Sequence, residues 1–152
     1  KQIQSNRPLT VTNPDVTRFL LPLPVAIKLV LYAIQYAENG DMLVRKSPAA
    51  TIGTLAQAMI QHHNHTKDIK TIGIREGEKM HETLVTREEL IRSEEAPDFY
   101  RIKNLQKIDY EAFFNSGKYN TIPEEGYTSK NTQRLTLQET IQLLSETEEM
   151  EM

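Results

Sequence analysis

Cysteine is absent, so neither a disulfide nor a thiolate metal site can be built from this chain, and a reducing compartment suits it. Basic charge is not in excess either. The 18 Lys and Arg residues against 21 Asp and Glu leave a formal net charge of -3. A protein that neutralises a run of phosphates carries the opposite balance, which argues against nucleic acid as a partner. No long apolar run is present. The most hydrophobic stretch, residues 19–37, is interrupted by Pro22, Pro24, Lys28 and Gln35. It falls short of the roughly 20 apolar residues that a membrane span needs. No segment shows the basic, apolar and small-residue order of a secretory signal. The expectation is therefore a cytoplasmic protein with no membrane association, in which the sequon Asn64-His65-Thr66 carries no meaning. No serine stands in a Gly-x-Ser-x-Gly context, which leaves nothing to support a nucleophile elbow.

What remains is one domain's worth of sequence. Its 152 residues can bury one real core but not two large ones. Short β-prone runs alternate with helical patterns, which implies a mixed α/β chain. Residues 9–12 and 17–21 read as extended, with a turn at Asn13-Pro14-Asp15 between them. Pro24 suits the first turn of a helix over 24–36, whose Val25, Ile27, Leu29, Val30, Leu31 and Ile34 form a broad apolar surface. Gly40 is placed to end it in the left-handed conformation. A strand over 42–45 follows, broken at Ser47-Pro48. Three pairs match the capping box, in which two residues three apart satisfy each other's backbone N–H: Thr54 with Gln57, Thr86 with Glu89, and Thr136 with Glu139. They predict helices over 54–62, over 86–95 and from 136 onward. Residues 69–74 alternate as a strand. Residues 97–131 hold four of the six tyrosines with little period, and read as aromatic loops packed over the core rather than as a base-stacking surface. The acidic end, 146–152, is expected to fray. The opening residues 1–7 read as the end of a helix begun earlier, so the chain is expected to be a piece of something longer.

The most informative stretch is Ile72-Gly73-Ile74-Arg75-Glu76-Gly77-Glu78-Lys79-Met80-His81-Glu82. A strand runs directly into a charged loop. Gly77 permits a sharp turn or a close approach to a ligand. An arginine can grip a diphosphate with two parallel charge-assisted bonds. A carboxylate three residues on can accept from ribose hydroxyls. The set suits a nucleoside diphosphate, although by spacing alone a solvated charged loop is the commoner account of it. Arg18, beside Phe19 in an extended run, could reach a cleft or simply face solvent. His62, His63 and His65 cluster at a helix end. Zinc needs three or four converging ligands, and adjacent residues on a helix point about 100° apart. No metal is therefore expected there, only a solvated helix end.

Taken in order, Val16-Thr17-Arg18-Phe19, the helix over 24–36, Asn39-Gly40-Asp41-Met42-Leu43-Val44, Pro48-Ala49-Ala50-Thr51-Ile52 and the stretch from Ile72 to Leu84 resemble one family. It is the polysaccharide-biosynthesis branch of the extended short-chain dehydrogenase/reductases, near the capsular UDP-N-acetylglucosamine 4,6-dehydratases that also epimerise C5; such proteins often carry the name UDP-glucose 4-epimerase. Arg87-Glu88-Glu89-Leu90, Phe99-Tyr100-Arg101-Ile102 and Asp109-Tyr110 resemble that branch's C-terminal extension, although Leu105-Gln106-Lys107-Ile108 departs from it. The resemblance implies a C-terminal substrate-binding lobe, α/β in the complete enzyme and α+β as a fragment, lacking most of the Rossmann domain. It implies a lobe at 1–85, an extension at 86–145 and an acidic tail at 146–152. Arg75 matches the family's diphosphate-binding arginine, Glu78 the acidic residue that accepts from the uridine ribose, and Arg18 an arginine that also reaches the nucleotide. Thr12 and Asn13 stand beside a strand that lines the pocket in relatives. Lys79 and His81 receive no role.

The same resemblance implies a full reaction of oxidation at C4, loss of water across C5–C6, return of hydride at C6 and inversion at C5, with NADP or NAD in the complete enzyme. The cofactor's Gly-x-x-Gly-x-x-Gly turn has no counterpart in this chain. Nor does the catalytic Tyr-x-x-x-Lys pair: the residues four after the tyrosines are Tyr36, Gly40, Asn104, Phe114, Pro123 and Asn131. No catalytic, cofactor-binding or metal residue is therefore assigned. The expected partners are a UDP-sugar, the missing N-terminal Rossmann portion and further copies of the chain. A 4-epimerase and a non-enzymatic assembly module remain as alternatives.

Overall fold

The computed structural model describes residues 1–104 and 122–151. The chain opens on a helical turn in which the Ser5 N–H donates to the Lys1 carbonyl at 2.9 Å, closed by Asn6 at a φ of 48°. Then come β1 (Leu9–Val11), β2 (Thr17–Phe19), α1 (Leu23–Tyr36), β3 (Met42–Arg45), β4 (Ala49–Thr51), α2 (Ile52–His62) and β5 (Ile69–Thr71). After them lie β6 (Thr83–Val85), α3 (Arg87–Ile91), β7 (Ser93–Glu95), β8 (Phe99–Ile102), β9 (Tyr127–Thr128) and α4 (Leu137–Glu151). The strands form four small open sheets. β1 and β5 pair in parallel, with Leu9 opposite Ile69. β2 pairs antiparallel with β4, and β6 with β9. β8 lies between β3 and β7 in the one three-stranded sheet among the described residues. The mixture of helices and open sheets matches the α/β fragment expected.

The core sits under α3 and the second half of the chain. Val85, Leu90, Ile102 and Tyr127 are buried together, with Phe19, Val44, Tyr100 and Ile122 packed around them. Each fully buried aliphatic side chain there contributes about 1.5–3 kcal/mol of transfer free energy. Tyr127 also ties polar backbone. Its hydroxyl accepts from the Ser47 N–H at 2.8 Å and lies 2.7 Å from the Ser47 carbonyl, to which it donates. Its ring lies 5.2 Å from that of Phe19 and 5.4 Å from that of Tyr100. These aromatics therefore pack the core, as expected of their region. The strands β8 and β9 were not expected there, and residues 105–121, including the departure at Leu105-Gln106-Lys107-Ile108, lie outside the described residues.

Several expected ends move by a few residues for local reasons. α1 begins at Leu23 with Pro24 inside its first turn. It ends at Tyr36 with Ala37 as an extended cap, and Gly40, at a φ of 87°, instead closes the turn in which Asp41 N–H donates to the Glu38 carbonyl. α2 starts two residues before the expected Thr54: Thr51 is its cap and accepts from the Thr54 N–H at 3.0 Å. The Thr86–Glu89 box is present, but α3 stops at Ile91 because Ser93–Glu95 is taken up as a strand beside β8. Thr136 and Glu139 bond reciprocally, and α4 continues through Glu151 instead of fraying at Glu146. No helix among the described residues is long and apolar enough to cross a membrane.

Candidate functional site

The charged loop between β5 and β6 is held over the end of β1 and along β2. Two glycines shape it. Gly73 and Gly77 have φ values of 90° and 77°, in open space that would accept a side chain sterically. Glycine is needed there for its backbone conformation and not for room. Between them the chain turns on itself, with the Glu78 N–H donating to the Arg75 carbonyl at 3.1 Å.

Glu78 is the hub. Its Oε1 accepts from the Thr12 hydroxyl at 2.7 Å and its Oε2 from the Arg75 backbone N–H at 3.2 Å. The Thr12 bond, then the Arg75 N–H, then the Arg18 and Arg75 charges hold its carboxyl below the usual carboxylate range, against the opposing pull of burial. Arg18 lies between two carboxylates, 3.5 Å from Glu78 and 3.5 Å from Glu82. It also donates to the carbonyls of Thr17 at 2.8 Å and Lys79 at 3.0 Å. Its guanidinium is thus committed to the loop itself. Arg75 differs. Its side chain is exposed and makes no hydrogen bond or ion pair with the described residues.

Beneath the loop runs a buried polar chain that the sequence did not announce. Thr17 Oγ1 lies 2.8 Å from His81 Nδ1 and 2.7 Å from Ser129 Oγ. Ser129 Oγ accepts from the Glu82 N–H at 2.8 Å, while the Ser129 N–H donates to the Glu82 carbonyl at 2.8 Å. Thr17 and Ser129 are buried, and buried hydroxyls must find partners. This set fixes the loop's far end to β2 and to the residues after β9. No spacing rule links Thr17 to Ser129 across so much sequence; only alternation on β2, which turns Thr17 inward, hints at it. His81 acts here as a support. Asn13 forms the expected turn, accepting from the Asp15 N–H at 2.8 Å. The structure therefore brings Thr12, Arg18, Glu78 and the Arg75 backbone together, and leaves the Arg75 and Lys79 side chains at the surface. Two cavities, of about 370 and 550 Å³, lie elsewhere, around Tyr127 and between the opening turn and α2.

Residues 1–104 match the family described as "Polysaccharide biosynthesis protein", and residues 106–151 match "Polysaccharide biosynthesis protein C-terminal". The chain belongs to the polysaccharide biosynthesis protein family. Among curated family relatives, the UDP-glucose 4-epimerase of Rickettsia bellii (strain OSU 85-389) is 43% identical over 144 residues, covering 94% of this chain and 42% of its own. That of Rickettsia rickettsii (strain Sheila Smith) is 42% identical with the same coverage. The X-ray structure of Pen from Bacillus thuringiensis superposes with a TM-score of 0.78 at 26% identity, over 97% of this chain and 43% of that one. This polysaccharide biosynthesis chain therefore spans less than half the length of the relatives it matches. The resemblance to the C-terminal part of an extended short-chain dehydrogenase/reductase is borne out.

Proposed function

We propose that this chain holds the nucleotide half of a UDP-sugar for an epimerase or dehydratase that modifies the sugar during surface polysaccharide synthesis in the cytoplasm. One observation carries the reading: the Gly73–Gly77 turn is anchored from below, yet presents an Arg75 guanidinium without a partner among the described residues, beside Glu78, whose carboxyl is held below the usual range. A guanidinium in that state can bind a diphosphate bidentately. Glu78 retains acceptor capacity for ribose hydroxyls, since a carboxylate offers about four lone-pair sites. Arg18 supports both by holding Glu78 and the Lys79 carbonyl in place. Gripping the non-reacting half of a substrate positions the reacting half.

The chain's residues do not fit a dinucleotide. No glycine-rich strand-to-helix turn is present in this sequence, and the family resemblance would place NADP or NAD on a Rossmann portion outside this chain. The names of the Rickettsia relatives favour a UDP-sugar 4-epimerase. The C4-oxidising 4,6-dehydratase acting on UDP-N-acetylglucosamine rests on the resemblance of the Arg75 loop and its neighbours. A second reading, an assembly module without chemistry, is favoured by the bare apolar face of α1. A glycine-rich turn and a Tyr-x-x-x-Lys pair upstream in the same polypeptide would exclude it.

Calorimetric titration with UDP tests the grip, on this chain and on the full-length enzyme. Arg75→Ala is expected to weaken binding roughly 10–100-fold, the worth of a charge-assisted bond. Glu78→Ala should weaken UDP more than an inorganic diphosphate. Equal affinity of wild type and Arg75→Ala in the full-length enzyme would refute the assignment.

A further inference from the structure

The two adjacent histidines at the end of α2 do not diverge. His62 is the last residue of α2, whereas His63 is its C-cap, with φ -95° and ψ 9°. The two ring centroids stand 4.8 Å apart, edge to face. The end of α4 closes on them. Glu148 Oε2 lies 3.0 Å from His62 Nε2, and Glu148 Oε1 lies 3.9 Å from His63 Nε2. One ligand atom from each of the three residues falls within 4.8 Å of the others. Ligands about 2.1 Å from a tetrahedral zinc ion stand about 3.4 Å apart, between those two distances. His65 is not part of the group; its Nε2 lies 3.0 Å from the Arg7 carbonyl.

The hydrogen bonds set the tautomer. Ser145 Oγ donates to the Ile141 carbonyl at 3.1 Å, so towards His62 Nδ1, 3.4 Å away, it can only accept. Nδ1 therefore carries the proton. Nε2 is then the nitrogen that faces the Glu148 carboxylate, a contact that either a second ring proton or a metal cation satisfies. The helix C-terminus favours positive charge at the same place. Only His62 is well covered, at 15% side-chain exposure, which leaves the fourth position open to water. Two imidazoles with a carboxylate suit zinc and its neighbours better than magnesium or calcium, which take oxygen ligands.

We propose that His62, His63 and Glu148 form a three-ligand site for a divalent transition metal of the zinc class, which fastens the end of α4 to the end of α2. The test is titration of the full chain with Zn²⁺ alone, read by calorimetry and by thermal unfolding, with Mg²⁺ in parallel. One equivalent of Zn²⁺ should bind and raise the unfolding midpoint, as a ligand of the folded state must; Mg²⁺ should do neither. His62→Ala and Glu148→Gln should each weaken Zn²⁺ by more than the 10–100-fold typical of a mere supporting residue. His65→Ala should bind as wild type does. No Zn²⁺ binding, binding unchanged in both ligand variants, or binding lost in His65→Ala would each overturn the site. The first of these would mark His62 and Glu148 as a simple imidazolium–carboxylate pair.

Discussion

Thr12 supplies a single hydroxyl to Glu78, and that bond is the first cause of the depressed carboxyl. A carboxylate whose folded pKa is lowered keeps its native contacts above the ordinary carboxylate range and loses them as pH falls through the lowered value. The loop's tie to β1 is therefore intact at neutral pH and released only in acid. Thr12→Val removes the donor and preserves the shape. The Glu78 carboxyl midpoint, followed by NMR, is expected to move up towards that of an ordinary glutamate in this variant. An unchanged midpoint would mean that the Arg75 N–H and Arg18 hold Glu78 without help. Gly126 shows the opposite kind of residue, one needed for space as well as backbone. At a φ of 72°, a Cβ there would stand 2.3 Å from the Val85 carbonyl oxygen.

At the scale of elements, the caps separate what was legible from what was not. Thr54 with Gln57 satisfies the capping pattern in sequence, yet Thr51 does the capping, because pairing of β4 with β2 carries the extended chain directly into α2. Thr51→Ala is expected to cost about 1 kcal/mol, the usual worth of a threonine N-cap. Thr54→Ala should cost clearly less in the same denaturant unfolding series; the reverse order would restore the sequence reading. The other two boxes were readable because nothing competed for them. α3 was read too long for the same reason that α2 was read too short: β8 recruits Ser93–Glu95 as a partner, and strand pairing is non-local. The site divides in the same way. The Arg75–Glu78 turn is local and could be read from its glycines and charges. The Thr17–His81–Ser129 chain joins three distant segments and becomes visible only once β2, β6 and β9 are assembled. The meeting of His62 and His63 with Glu148 is likewise non-local, since the third residue comes from the far end of α4.

At the scale of the whole molecule, the apolar surface is distributed unevenly. α1 contains no buried residue at all. Leu23, Ile27, Val30, Leu31 and Ile34 recur at helical spacing along one stripe, with exposures from 48% at Ile27 to 78% at Ile34. Its other side is lightly covered, with Tyr32 5.0 Å from the ring of Phe99. A contiguous apolar stripe of this length is more than soluble monomers ordinarily leave in water, and it marks a surface that associates. The stripe therefore predicts self-association of this chain. Sedimentation should show a species heavier than one chain that grows with concentration. Val30→Glu with Ile34→Glu should abolish it without unfolding the protein, because both side chains are already mostly in solvent. Helical circular dichroism would verify that α1 survives the change. A wild-type chain that stays strictly monomeric at high concentration would show that the stripe is tolerated bare. A heavier species that persists in the double variant would move the interface off α1, to the edges of the parallel β1–β5 pair, which pair with no other strand among the described residues.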